Sequence, residues 1–123
     1  MHKVSSKVDK TVGVIAYLTL IGFGIGIILN INKTGQEKKF GAFHLRQSLG
    51  IILGTFAVSI AIQIVDGILG FIGLALSGVL NPIMYLATLV LIIIGVVNAG
   101  NGEKKLLPYI GEYAEKFFKQ LFE

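Results

Sequence analysis

VGVIAYLTLIGFGIGIILNI, residues 12–31, is a run of 20 residues without a charged side chain. At about 1.5 Å per residue, a straight helix of that length crosses roughly 30 Å of hydrocarbon, so the run reads as a first membrane helix. Lys3, Lys7 and Lys10 precede it, as in a secretory signal. The run exceeds a signal peptide's apolar core and no Ala-x-Ala-like site follows, which favours a retained helix. Of the 123 residues, 54% are hydrophobic and 15% charged, and the mean hydropathy is +0.78. A soluble domain of this size buries only about 60 to 70% of the surface its unfolded chain exposes, so it would leave large apolar patches in water. The expected fold class is therefore all-α: one polytopic membrane domain with three transmembrane helices, a short or re-entrant fourth, and a C-terminal amphipathic helix.

Working outward, residues 32–39 form a polar connection in which Gly35 can supply a positive φ. Residues 40–66 begin with interfacial turns carrying His44, Arg46 and Gln47, then continue as the second crossing to Asp66. Residues 68–80 are apolar but too short to span comfortably, and are expected as a helical extension or re-entrant segment turning back at Asn81-Pro82. Residues 83–98 supply the third crossing. In residues 108–122, Tyr109, Ile110, Tyr113, Ala114, Phe117, Phe118, Leu121 and Phe122 recur at i, i+3, i+4 spacing opposite Glu112, Glu115, Lys116 and Lys119. That helix either lies in the membrane interface on its aromatic face or caps the bundle.

With three crossings, one side holds Lys33, Lys38, Lys39, Arg46, Lys104, Lys105, Lys116 and Lys119, and the other holds Lys3, Lys7 and Lys10. That excess places the first loop and the C-terminus in the cytoplasm, with the N-terminus outside. A fourth crossing would bring both termini to the cytoplasmic side.

The residue 40–66 helix has two faces. Thr55, Ser59, Gln63 and Asp66 fall in one arc of roughly 80°, and form either a polar pathway or subunit contact, or groups bonded back to their own helix. On the opposite side, Gly50 and Gly54 repeat the small-residue spacing of Gly22 and Gly26, and Gly95 offers a similar surface in the third crossing. Such faces suit close helix packing, within one chain or between copies.

Catalysis is not expected. His44 and Asp66 stand 22 residues apart, about 33 Å along a helix, and so form no dyad. There is no cysteine, no metal-ligand spacing and no phosphate-binding loop. No cofactor is expected. The net charge of +4 sits beside apolar runs, which points to anionic lipid headgroups and not to nucleic acid. The remaining partners expected are further copies of the chain or other membrane proteins.

Phe40-Gly-Ala-Phe-His44-Leu-Arg46-Gln47, followed later by Asn101-Gly102-Glu103 and Pro108-Tyr-Ile-Gly111, resembles the chloroplast import component family, related to the channel-forming subunit of the inner-envelope translocon. The resemblance covers most of the chain and implies an integral protein of the bacterial inner membrane that supports a translocation-related complex. A transport pathway and a lipid-surface sensor are the competing functions. At the membrane surface, Arg46 and Glu103 are expected to pair, with His44 joining Asn98 or Asn101.

Overall fold

The computed structural model describes residues 9–123 except Thr19, and the chain is all-α. It contains α1 (Thr11–Leu18), α2 (Leu20–Ile31), α3 (Gly35–Leu69), α4 (Phe71–Gly100) and α5 (Gly111–Phe118).

The run that reads as a single crossing is instead a helical hairpin. A Cβ built on Gly26 would lie 3.6 Å from the Val12 carbonyl oxygen and 3.8 Å from Ala16 Cα. In one straight helix, residues 12 and 26 would stand about 21 Å apart, so α2 must double back along α1. Ala16 and Gly26, both small, let the two backbones approach. The open end is tied by Lys33, whose Nζ lies 3.0 Å from Asp9 Oδ2. Residues 12–31 thus enter and leave on the same side, and hydropathy cannot tell that arrangement from a crossing.

α3 and α4 form a second, longer hairpin of 35 and 30 residues, about 52 and 45 Å in length. Both are long and apolar enough to cross a membrane. They are joined at Gly70, whose φ of 58° and ψ of −123° suit glycine and strain any side chain. Just beyond the turn, a Cβ on Gly73 would lie 2.6 Å from the Val65 carbonyl oxygen, so the helices meet backbone to backbone there. The expected re-entrant segment at 68–80 is replaced by the end of α3, the Gly70 turn and the start of α4. Asn81-Pro82 makes no turn, because α4 continues through Pro82. A proline inside a helix withholds one backbone donor, here the one that would serve the Gly78 carbonyl.

This architecture also moves the N-terminal segment. Asp9 is bonded to Lys33, so residues 9–10 share an end with the loop before α3 and do not face the opposite side. Lys10, Lys33, Lys38, Lys39, Arg46, Lys104, Lys105, Lys116 and Lys119, the described basic residues, all lie at that end, called the base below. No lysine or arginine occurs from Gln47 to Gly102.

The first residues of α3 form the centre of the base. Every residue from Phe40 to Ser48 is buried, against α1 and α2 on one side and α4 and α5 on others. α5 rests on α3 where Gly50 meets Ala114, while Tyr113 and Phe117 face outward and stack with ring centroids 6.4 Å apart. It therefore packs as a cap and still presents aromatic side chains at its surface.

Candidate functional site

His44 occupies the middle of the base, completely buried. The rings of Phe40, Phe43 and Tyr17 meet it edge-on, with centroids 4.7, 5.0 and 5.5 Å away. Its Nε2 donates to the backbone carbonyl of Glu103 at 2.8 Å. Nδ1, as the acceptor of a neutral ring, then receives the Tyr17 hydroxyl at 2.6 Å.

The Glu103 carbonyl is presented by the end of α4. Gly102 N–H donates to Ala99 and Glu103 N–H to Asn98, with Gly102 at φ 71°. These bonds make a Schellman motif, in which glycine takes the left-handed position after the helix. Asn101-Gly102-Glu103 therefore acts through backbone geometry: Asn101 is exposed, and Glu103 gives His44 its carbonyl and not its carboxylate.

Arg46 takes different acids from the one expected. Its Nε and Nη2 donate to Glu115 at 2.9 to 3.2 Å, and Nη1 donates to Glu123 Oε2 at 2.9 Å and to the Leu121 carbonyl at 3.2 Å. No Arg46–Glu103 pair forms. Asn98 donates to the Lys105 carbonyl instead of joining His44. The next residue holds the same segment: Gln47 Nε2 donates to the Gly111 carbonyl and to Glu115, and Gln47 Oε1 accepts Leu107 N–H. A Cβ on Gly111 would lie 2.5 Å from Gln47 Oε1, so only glycine leaves room for this strap.

The hairpin is held by Ser48, which donates to the Ala16 carbonyl, and by Asn30, which donates to the carbonyls of Lys38 and Phe122. Asn30 Oδ1 has no hydrogen-bond donor and rests over Gly41, where a Cβ would stand. A Cα–H contact there is a weak partner that only glycine allows. Tyr17, Asn30, Glu115 and Glu123 escape the sequence reading because their partners lie 27 to 92 residues away.

At the outer end of the base, the Thr11 hydroxyl and backbone N–H donate to Asp9, and the Lys33 ammonium stands beside it. Together they pull its carboxyl from the usual 3.8 down to about 2. A carboxylate whose pKa is depressed by folding stabilises above its unfolded pKa, and that contribution disappears as the pH falls through the folded value. The hairpin's open end should loosen between about pH 4 and pH 2. Distance measurements between spin labels at residues 10 and 32 should show this in the wild type, while Asp9→Asn should already be loose at neutral pH. Identical acid profiles for the two proteins would remove Asp9 from the tie.

The other faces separate. Thr55 bonds to Thr88 at 2.9 Å and Asp66 accepts from Ser77 at 3.2 Å, both across the α3–α4 contact. Ser59 is half-buried and Gln63 exposed, so the four residues do not line one enclosed path. Among the small residues, Gly26 meets Leu45, Gly50 meets Ala114 and Gly95 meets the Tyr17 ring, whereas Gly54 has nothing within 4 Å. Gly22 lies half-buried in α2. Among the described residues, no group of three histidine, aspartate or glutamate side chains is placed to hold a metal.

Comparison with known proteins corrects the resemblance drawn from the motifs. The sequence profile that matches residues 8–113 is that of the magnetosome magnetite crystal formation protein family, and not that of the chloroplast import components. The chain is 37% identical over 122 residues to a UPF0132 membrane protein of Methanocaldococcus jannaschii, covering 95% of this chain and 96% of the relative. A second UPF0132 membrane protein of that organism is 27% identical over 111 residues, covering 90% of this chain and 71% of the relative. No solved structure matches. The motif residues carry the base described above, and the translocation role inferred from them is not supported.

Proposed function

The chain belongs to the magnetosome magnetite crystal formation protein family, as a small membrane protein, and from that premise we propose that it serves as a non-enzymatic structural component of its membrane. The supporting observation is how the polar side chains of the base are used. His44, Arg46, Gln47 and Ser48 all project from α3 and bond to α1, to the end of α4 or to the α5 segment. Groups of these types could serve an active site, yet here they fasten helices together, as expected of a buried polar network that specifies one arrangement.

In this reading the base faces the cytoplasm across a bacterial-type inner membrane, because the lysines and arginines gather there and the opposite turn has only Asp66 nearby. Its partners are anionic lipids at the base, and other copies or other membrane proteins along the exposed apolar faces of α3 and α4. The native chain lacks cysteine, so single cysteines at Gln36, Lys105 and Phe71 report orientation directly. A membrane-impermeant thiol reagent applied to intact cells is expected to label only Phe71→Cys. Labelling at Gln36→Cys or Lys105→Cys would reverse the orientation. Reconstituted vesicles should show no solute or ion flux above that of empty ones, and flux through the purified protein would replace the structural role with transport.

A further inference from the structure

The cross-section of the molecule differs between its two ends. At the base, α3 and α4 are flanked by the α1–α2 hairpin and by α5. The hairpin tip stops where Leu18 and Leu20 share a depression with Ile51, Thr55 and Ile92. From Thr55 to the end of α3 remain about 21 Å in which only α3 and α4 continue. The hairpin does not hide its outer surface: Leu20, Ile21 and Ile28 are 70%, 75% and 66% exposed. These side chains need lipid around them, while Asp9, Lys33 and Glu37 hold the hairpin's open end at the charged surface. An insert of this kind displaces lipid from one leaflet only. Outward-facing Tyr113 and Phe117 on α5 add to the width of the same side.

We propose that the protein is a one-leaflet wedge that favours bilayers curved with the base on the convex side. The wide end expands the base-side leaflet by the area of the hairpin and α5, whereas the far leaflet accommodates two helices. Curvature relieves the mismatch in area, so the protein concentrates on bent membrane and, at high density, bends it. The lysines at the base hold that end against anionic headgroups and keep the wedge from sinking toward the midplane. This inference rests on the chain being membrane-embedded, but not on which compartment the base faces or on the absence of flux, so its outcome is independent of the tests above.

The full chain, fluorescently labelled at Gln36→Cys, can be reconstituted into giant vesicles of phosphatidylcholine with a minor fraction of phosphatidylglycerol. Narrow tubes are then pulled from the flat membrane, and an impermeant quencher distinguishes the two orientations. For molecules with the base outward, the ratio of tube to flat density is expected to exceed one and to grow as the tube narrows. Molecules with the base inward should fall below one. Equal ratios in the two orientations would overturn the wedge. The chain has no tryptophan, so Ile21→Trp gives a second measurement. In base-outward protein, its fluorescence should be quenched by brominated lipid confined to the outer leaflet, and equal quenching from the inner leaflet would also overturn the proposal.

Discussion

Arg46→Leu is expected to lower stability by about 3 kcal/mol, the low end for removing one partner of a buried ion pair. The guanidinium is 8% exposed, while the Glu115 and Glu123 side chains are 26% and 30% exposed, so water recovers part of what the acids lose. The loss should be local in origin. Without Arg46, the tail from Glu115 to Glu123 keeps the Gln47 strap, the Asn30 bond to Phe122 and the edge-on contact of the Phe122 ring with Phe23, and should become open to protease before the helices melt. Glu123→Gln should cost less, because Glu115 still holds the guanidinium bidentately. Thermal unfolding in mild detergent with timed proteolysis checks both. A change below about 1 kcal/mol, the range of exposed pairs, would show that Arg46 holds the tail no better than an exposed pair does.

Among Gly95→Leu, Gly70→Leu and Gly54→Leu, the first should be the most damaging. The added side chain would overlap the Tyr17 ring, and displacing that ring breaks its hydrogen bond to His44 as well. Overpacking costs about 1 to 3 kcal/mol before the lost bond is added. Gly70→Leu should cost about 1 to 3 kcal/mol through backbone strain alone, since its φ is 58° and nothing crowds the site. Gly54→Leu should change the monomer by no more than about 0.5 kcal/mol. Melting of the three variants in detergent should rank them in that order. A Gly54→Leu protein as unstable as Gly95→Leu would place an unseen packing partner on that face.

Small-residue spacing alone predicts a different ranking, with Gly54→Leu disruptive and Gly70→Leu milder, and the discrepancy shows what the sequence makes legible. Hydropathy marks the apolar helices, the 3.6-residue period marks α5, and glycine's freedom marks the bend at Gly35. None of these signals distinguishes one helix of 20 residues from two short helices folded together, because both bury or expose the same apolar groups. Pro82 misleads for a related reason: a single missing donor is tolerated inside a long apolar helix, so the turn falls at Gly70, where the backbone needs glycine. Phe40, His44, Arg46 and Gln47 stand out in the sequence and do come together. Their partners were unreadable because Glu103 contributes a carbonyl, and because Glu115 and Glu123 reach Arg46 only after the chain turns at Gly102 and again at Tyr109.

The two hairpins also bear on how the chain enters a bilayer during synthesis. A helix that crossed at residues 12–31 would force the lysine-bearing N-terminal segment through hydrocarbon. With α1 and α2 closed at Asp9 and Lys33, every described basic group stays on the side of entry. Only the Gly70 turn must traverse, and Asp66, bonded to Ser77, is the one acidic or basic side chain that travels with it. At roughly 2.5 to 3.5 kcal/mol for a charged residue at the membrane centre, insertion as paired helices carries one such barrier where a leading N-terminal segment would carry four, at Lys3, Lys7, Asp9 and Lys10.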